Sequence, residues 1–274
     1  MILVLNSVFS AALIVLLLWL DRYEKEDIVT LMKIFFMTII LTGVYAVLAS
    51  QLIVNFSFLN TIIIAPFMEE TFKLLVFVAV LLKFNNEINE SFDAVVYMGV
   101  IALGFAFYEN IAYYLAATWQ GVKIARLTND FSLYNSSLFS IFLARLAPGH
   151  LLFNIISIYP FGLYLQKKKK ASYLIIGWLA AMLLHAGWNF LVHYNYFFCI
   201  YLTILLALGI FVVLKLLSIS AFKSEPEFGD EALIETPSRY DWSYYLLVYL
   251  FVVICGVIAF FVSFLITSMI YSIF

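Results

Sequence analysis

An all-α polytopic membrane protein, a bundle of about eight transmembrane helices with an intramembrane polar site, is the fold class that the sequence predicts. Of its 274 residues, 65% are hydrophobic and 12% are charged, and the mean hydropathy is +1.05, outside the range of soluble globular domains. The apolar residues come in blocks of about 20, the length that a helix needs to cross a hydrocarbon core. They do not show the alternation of a transmembrane β-barrel, whose segments are about ten residues long. The net charge of -2 gives no global field that would attract nucleic acid.

Eight apolar blocks give the predicted spans. These cover residues 2–20, 34–54, 60–82, 93–117, 137–165, 171–194, 197–221 and 243–272. The first block lacks the basic n-region and the small-residue cleavage site of a signal peptide, so we interpret it as a retained helix. We predict three regions: a helical core with seven spans in residues 1–222, an acidic cytoplasmic linker in residues 223–242, and a C-terminal transmembrane helix in residues 243–274.

Basic residues in the connections between spans predict the orientation of the chain. The odd-numbered connections carry most of them: Arg22, Lys25, Lys33, Lys83, Lys167 to Lys170, Lys223 and Arg239. The even-numbered connections hold only Lys123 and Arg126. By the positive-inside rule the odd connections are cytoplasmic, and both termini are predicted to be extracytoplasmic.

Two connections have a composition of their own. The linker contains SEPEFGDEALIETPSR, with Pro226 and Pro237, a composition typical of a flexible segment. The outer connection from Trp119 to Ser136 mixes large apolar with polar residues, and this pattern is typical of a segment that lies on the membrane interface.

A few ionisable side chains interrupt the predicted spans, and each costs about 2.5 to 3.5 kcal/mol on insertion scales. They are Glu69, Glu70, Lys73, Glu109, Arg145, His150 and His185. Lys73 follows Glu69 by four residues and Glu70 by three, so it can pair with either on one helix face. In both cases one carboxylate is left over. Arg145 is interpreted as a structural partner for a carboxylate.

Helical spacing and depth group these residues further. His150 and Asn154 are four residues apart, as are His185 and Asn189, so each imidazole has an amide one turn away. At about 1.5 Å of rise per residue, the third, fourth and sixth spans place Glu69, Glu109 and His185 roughly 12 to 14 Å below the outer surface. The count for His150 is slightly deeper. The sequence therefore predicts one polar layer in the outward half of the membrane.

Such a layer supports more than one chemistry. Two close carboxylates do not both ionise easily, so one can act as an acid and the other as a base, and with the imidazoles they can activate water for peptide hydrolysis. Alternatively Glu70, Glu109, His150 and His185 are possible ligands of a zinc ion with an open water position. A proton-coupled transporter using the same groups as a relay is the alternative function, although the sequence shows no repeats or broken helices of that class. A third interpretation is a scaffold without catalytic activity.

Four motifs, in order on successive spans, resemble the PrsW family of intramembrane proteases. They are APFMEETFK, FDAVVYMGVIALGFAFYENIAYY, RLAPGHLLFNII and HAGWNF. The resemblance extends over about Asp21 to Phe190, and the family is related to the CAAX prenyl endopeptidases and the Abi membrane proteins. It implies a multi-pass protein of a bacterial or archaeal cell membrane.

The resemblance also implies roles for single residues. Glu69 and Glu70 match the paired glutamates of the first motif, with Lys73 as their basic partner, and Phe105 and Glu109 match the second motif, where the CAAX relatives have histidine. His150 and Asn154 match the third motif, which the CAAX enzymes use for oxyanion stabilisation, and His185 matches the last. The implied activity is the first cut in a single-pass membrane protein of the anti-sigma-factor type, on its extracytoplasmic side. Zn²⁺ is the cofactor considered, without a choice between a metal-dependent and a glutamate mechanism.

Overall fold

The computed structural model describes residues 2–21, 26–52, 59–84, 88, 92–128, 149–167, 172–194 and 204–213. All regular elements in these ranges are helical. They are α1 (Ile2–Leu20), α2 (Ile28–Leu52), a π-helical turn (Asn60–Ile64), α3 (Ala65–Lys83), α4 (Asp93–Thr128), α5 (Gly149–Lys167), α6 (Ser172–Tyr194) and a short apolar helix α7 (Ile204–Val213).

The predicted all-helical class is confirmed for this part of the chain. Three stretches of helix are long and apolar enough to cross a membrane: Ile28–Ser50, Asp93–Thr128 and Ser172–Leu191. The number of eight spans is not confirmed. Arg145, the linker and the predicted last span 243–272 lie outside the described residues.

Helix α2 begins earlier than the predicted start at residue 34. Asp27 lies just before the helix, and its carboxylate accepts hydrogen bonds from the Thr30 N–H at 2.9 Å, the Val29 N–H at 3.2 Å and the Thr30 hydroxyl at 2.7 Å. This is the geometry of an N-cap, which satisfies amide groups that have no partner within the helix. The predicted boundary was wrong because it followed hydropathy, whereas the cap determines where the helix begins.

Removing this cap is expected to loosen the first turn of α2. Asp27→Ala costs about 1 kcal/mol, so hydrogen exchange at the amides of Val29 and Thr30 is expected to accelerate about fivefold. Asn is as good an N-cap as Asp, and Asp27→Asn is therefore the matched control, with exchange close to that of the wild type. Equal exchange in the alanine variant and the wild type would show that the cap does not stabilise the turn.

The same carboxylate makes the first turn sensitive to acid. The pKa of Asp27 lies below its ordinary value of 3.8 because the Thr30 side chain donates a hydrogen bond to it, with further contributions from the backbone N–H groups of Thr30 and Val29 and the charge of Lys33. Since the folded-state pKa is the lower one, the stabilisation is present above the unfolded-state pKa and is lost as the pH falls through the folded-state value. Exchange at these two amides, corrected for intrinsic rates, is expected to rise in that window in the wild type and not in Asp27→Asn.

Helix α4 continues past the predicted end at residue 117. It runs without interruption from Asp93 to Thr128, so the segment from Trp119 to Thr128, predicted to be part of an interfacial connection, is helical. At about 1.5 Å per residue, a helix of 36 residues is longer than the roughly 30 Å hydrocarbon core. The polar residues in the C-terminal part of α4 do not end the helix, because its main-chain hydrogen bonds continue through them.

The chain divides into two compact units. One comprises Met1–Leu16, Ala106–Pro148 and Trp242–Phe274, and the other comprises Leu17–Phe105 and Gly149–Asp241. The second unit holds α2, α3, the first part of α4, α5 and α6. Within it, α5 and α6 make the most extensive contact and α3 packs on α6.

Glycine at position 177 allows α5 and α6 to approach closely. A Cβ at Gly177 would overlap the backbone carbonyl oxygen of Ser157. Small residues at helix contacts are typical of membrane bundles, where close packing provides much of the association energy. This close approach fixes the two helices that carry the histidines.

Helix α3 starts in an irregular way, and proline is the reason. The amide of Ala65 donates to the carbonyl of Asn60, five residues earlier, and Pro66 follows in the first turn of α3. In π-helical spacing the next donor to the Thr61 carbonyl would be residue 66, but proline has no N–H. The carbonyl of Thr61, eight residues before Glu69, is thus open to a partner from outside its own helix.

Candidate active site inside the membrane

The basic residue of the first motif pairs with one of the two glutamates. Lys73 Nζ lies 2.6 Å from Glu70 Oε1, and both side chains are almost completely buried, at 0% and 1% exposure. Both predicted spacings were possible, and the structure has the pair three residues apart. Glu70 is therefore the carboxylate that the lysine neutralises, and Glu69 is the one left over.

Glu70 also receives hydrogen bonds from two other helices. His185 on α6 places Nδ1 at 2.7 Å from Glu70 Oε1, and Asn154 on α5 donates from Nδ2 to Glu70 Oε2 at 3.2 Å. Both oxygens of this carboxylate are thus engaged. Buried carboxylates require such partners, since removal from water costs several kcal/mol per ion. Glu70 is the centre of the polar network rather than its reactive edge.

Glu69 lies on the opposite side of His185. Its Oε2 is 3.8 Å from His185 Nε2, and its side chain is 16% exposed. One ligand-type atom from each of Glu69, His150 and His185 lies within 4.8 Å of the others. Three of the predicted site residues therefore lie close together, while the predicted depth of this layer in the membrane stays a prediction.

The hydrogen bonds assign different functions to the two imidazoles. A lysine ammonium carries only donors, so His150 Nδ1, 3.1 Å from Lys73 Nζ, accepts, and the proton of a neutral His150 is on Nε2. The carboxylate of Glu70 accepts from His185 Nδ1, which leaves a lone pair on the Nε2 of His185. His150 therefore presents a donor, and His185 presents an acceptor toward Glu69.

Aromatic rings enclose the charged groups. Phe153 stacks on His185 with ring centroids 4.9 Å apart and planes 21° apart, and the two imidazoles meet edge to face at 4.9 Å. The Nζ of Lys73 lies 4.8 Å from the centre of the Phe105 ring, within the range of a cation–π interaction. Together they exclude solvent from the inner part of the site and strengthen its electrostatic interactions.

Of the two phenylalanines that contact the charged groups, one was predicted from the sequence and one was not. Phe105 was named through the second motif, but Phe153 was not. Its spacing of three residues from His150 places it on the same helix face. That spacing was the signal that could have identified it.

Two further hydrogen bonds fix α3 against α6 on either side of the carboxylates. Asn189 Nδ2 donates to the Thr61 carbonyl at 3.0 Å. This is the carbonyl to which Pro66, lacking an N–H, cannot donate. Trp178 Nε1 donates to the Thr71 hydroxyl at 3.1 Å. Asn189 was predicted as an amide neighbour of His185, but its hydrogen bond is to the backbone of the π-helical turn. Likewise Asn154 donates to the backbone carbonyl of His150 at 2.7 Å and not to the ring.

The role of Asn189 can be tested by restoring the missing donor. Asn189→Leu leaves the Thr61 carbonyl without this partner and is expected to lower the free energy of unfolding by about 1 to 3 kcal/mol. Pro66→Ala supplies an N–H at position 66, so the double variant is expected to be more stable than the sum of the two single effects predicts. A double-mutant cycle on the purified protein measures this coupling. Additive effects would show that Asn189 and Pro66 act independently.

Two predicted site residues, Glu109 and Arg145, are not tested by these contacts. Glu109 lies on α4 within the segment Ala106–Pro148, which belongs to the other compact unit, and its role stays a prediction. Arg145 lies outside the described residues. The predicted ligand set included Glu70 and Glu109, whereas the cluster contains Glu69 together with His150 and His185.

This cluster has the residue types of a catalytic metal centre. One carboxylate and two imidazoles with a fourth position left for water are a common zinc set. Glu69 and the Nε2 of His185 offer lone pairs, and the hydrogen bond of Glu70 to the other nitrogen of His185 is the support that metal-bound histidines usually have. His150 fits as the third ligand only in the tautomer in which Nδ1 holds the proton and Lys73 no longer donates to it.

Apolar helices with a buried carboxylate and imidazole site define a polytopic membrane protein equipped for acid–base or metal-assisted chemistry. Comparison with known proteins specifies this class. The model of the "PrsW family intramembrane metalloprotease" matches residues 26–217, so the chain belongs to this family and is an intramembrane protease, as its motifs predicted. It is 27% identical over 195 residues to Protease PrsW of Clostridioides difficile (strain 630), an alignment that covers 67% of this chain and 76% of that protein. No solved structure matches significantly.

Proposed function

We propose that this protein hydrolyses a peptide bond in a single-pass membrane protein near its extracytoplasmic side, with Glu69 as the group that activates water. The observation that carries the proposal is that the two adjacent glutamates differ in their hydrogen-bond partners and in their exposure. Glu70 is committed to Lys73, His185 and Asn154, while Glu69 lies at the imidazole edge and keeps partial exposure. A general base must be reached by water, and the partial exposure of Glu69 favours it for this role over the almost completely buried Glu70.

The steps follow from the chemistry of these atoms. Glu69 takes a proton from a water molecule as its oxygen attacks the peptide carbonyl. The Nε2–H of His150 donates a hydrogen bond to the oxyanion that forms, and the charge of Lys73 behind His150 supports that donation. Protonated Glu69 then delivers the proton to the leaving amine, so that a carboxylic acid and an amine are the products. The Nε2 lone pair of His185, whose ring is held by Glu70, accepts a hydrogen bond from the same water and orients it toward the carbonyl.

A metal such as Zn²⁺, held by Glu69 and His185 with His150 as the conditional third ligand, would supply a more acidic water and polarise the carbonyl. In either case Glu70 keeps its function, which is to hold the His185 imidazole in place, and Lys73 stays the ion-pair partner of Glu70. Family membership favours the protease over the transporter that the same residues also allow.

The substrate class is supported by the position of the site along the helices. Glu69 and His185 lie nearer the ends of α3 and α6 that face away from the Lys167 to Lys170 connection, and by the positive-inside rule that connection is cytoplasmic. A substrate segment that unfolds into the site from outside fits this placement. An anti-sigma factor with one transmembrane helix is the type of substrate that we propose, and both termini of the enzyme are then extracytoplasmic.

Cleavage by the reconstituted protein tests the proposal. Wild type, Glu69→Gln, Glu70→Gln and His150→Ala are incubated in proteoliposomes with a single-pass substrate of the anti-sigma type, and the product masses locate the cut. Wild type is expected to cut in the outward part of the substrate helix or just outside it, and the three variants are expected to lose activity. Full cleavage by all three variants would remove these residues from the mechanism. Metal analysis with and without a chelator then separates the metal-dependent from the glutamate mechanism.

A further inference from the structure

A cavity lies beside the polar network and is lined by Glu70 but not by Glu69. It has a volume of about 20 Å³, room for one water molecule, and is bounded by residues of α3, α4, α5 and α6. Its polar end is formed by Glu70, Asn154 and Ser157, and most of its remaining wall is apolar. The mechanism described above makes no use of this space.

The amide of Asn154 can have only one orientation. Its Nδ2 lies 3.2 Å from Glu70 Oε2 and 2.7 Å from the His150 carbonyl, and both of these oxygens are acceptors. A flipped amide would place Oδ1 against two acceptors, so the amino group must point toward them. The carbonyl of the side chain therefore points the other way.

That carbonyl is buried without a hydrogen-bond partner among the residues that the structure describes. Asn154 is 0% exposed, and its Oδ1 is not hydrogen-bonded. A buried acceptor in this condition costs about 1 to 3 kcal/mol, and native proteins usually satisfy it with protein groups or ordered water. Asn154 itself lines the cavity.

A water molecule in the polar end of the cavity would find enough partners. It can donate one proton to Asn154 Oδ1 and the other to Glu70 Oε2, which has a second lone pair. The Ser157 hydroxyl, which donates to the Asn154 backbone carbonyl at 2.9 Å, can accept the second proton in place of Glu70. Buried waters typically make two to four hydrogen bonds, and an entirely apolar cavity would stay dry. The indole of Trp178 does not compete, since its N–H is given to Thr71.

The cavity extends along α5 and α6 toward the Lys167 to Lys170 connection. Its wall runs from Asn154 to Phe161 on α5 and from Ala181 to Tyr173 on α6, about 10 to 12 Å at helical rise. We propose that this cavity is a water-binding site that completes the hydrogen bonding of Asn154 and Glu70. Water binding does not rest on the proposed function, although hydrolysis gives it a use.

Radiolytic labelling of the purified full-length protein in ¹⁸O-water tests the site. Hydroxyl radicals formed from a bound water oxidise side chains next to it, and Met98 lines the cavity while being only 4% exposed. Met98 is expected to gain ¹⁸O in the wild type. Leu174→Phe fills the cavity from α6 and is expected to abolish the labelling, whereas the matched control Leu179→Phe, at a position on the same helix outside the cavity and 41% exposed, is expected to leave it unchanged.

A second variant provides an independent test in case Leu174→Phe does not fold. Asn154→Leu keeps the size of the side chain and removes the carbonyl that would hold the water, so it is also expected to abolish labelling of Met98. An unlabelled Met98 in the wild type, or equal labelling in wild type and a folded cavity-filling variant, would overturn the proposal. The labelling requires no proteolysis, so a failure of the water site and a failure of the protease mechanism are separate results.

Discussion

Glu69→Gln is expected to lower the rate of substrate cleavage by about 10²- to 10⁴-fold, the usual contribution of a general base, while the protein remains folded. The amide keeps the shape of the carboxylate but cannot take a proton from water. Because Glu69 is the partly exposed member of the pair, the change leaves no buried charge without a partner. The measurement is single-turnover cleavage in proteoliposomes alongside thermal unfolding.

The matched control is Asp27→Asn, the same carboxylate-to-amide change outside the membrane-spanning helices. It is expected to cleave at the wild-type rate. If Glu69→Gln cleaves as fast as this control, Glu69 is not the base. If Glu69→Gln instead unfolds as readily as a Glu70 variant, its role is structural.

Lys73→Met is expected to destabilise the protein by about 3 to 5 kcal/mol, the cost of leaving the other member of a buried ion pair uncompensated. The Glu70 carboxylate would retain His185 and Asn154 but lose its ammonium partner at 2.6 Å. Adding Glu70→Gln removes that charge, so the double variant is expected to recover a substantial part of the loss. Unfolding in mixed detergent micelles, followed by tryptophan fluorescence, measures both.

Lys83→Met at the end of the same helix is the matched control. Lys83 is exposed, and its replacement is expected to change the free energy of unfolding by less than about 0.5 kcal/mol. Equal stability of Lys73→Met and Lys83→Met would contradict the assignment of the buried ion pair. Recovery in the double variant separates loss of the pair from loss of the packing of the lysine stem.

Much of this site could be predicted because it depends on helical spacing alone. The positions along the spans predicted Glu69, Glu109 and His185 at one level and His150 slightly deeper, and the structure brings ligand atoms of Glu69, His150 and His185 together. The choice of partner for Lys73 could not be predicted, since spacings of three and four residues both fit one helix. Glu70 also accepts hydrogen bonds from His185 and Asn154 on two other helices. The spacing within one helix could not predict them, because it does not show which helices are neighbours.

Boundaries and backbone partners were the weaker part of the prediction. Hydropathy did not reveal the start of α2, which the Asp27 cap sets, or the continuation of α4 to Thr128. The bond from Asn189 to Thr61 depends on a π-helical turn and a proline on another helix. Such a contact requires knowledge of which helices are neighbours, and helical periodicity does not provide it.

The ion pair of α3 also bears on how the chain enters the bilayer during synthesis. Glu70 and Lys73 are partners within one helical turn, whereas His150 lies 77 residues after Lys73 along the chain and is translated later. On the prediction that α3 spans the bilayer, it can insert with its lysine and one glutamate already neutralising each other, and Glu69 then carries the net charge of this turn. Since each intramembrane charge costs about 2.5 to 3.5 kcal/mol to insert, a local pair lets the translocon accept the segment before the histidine helices arrive.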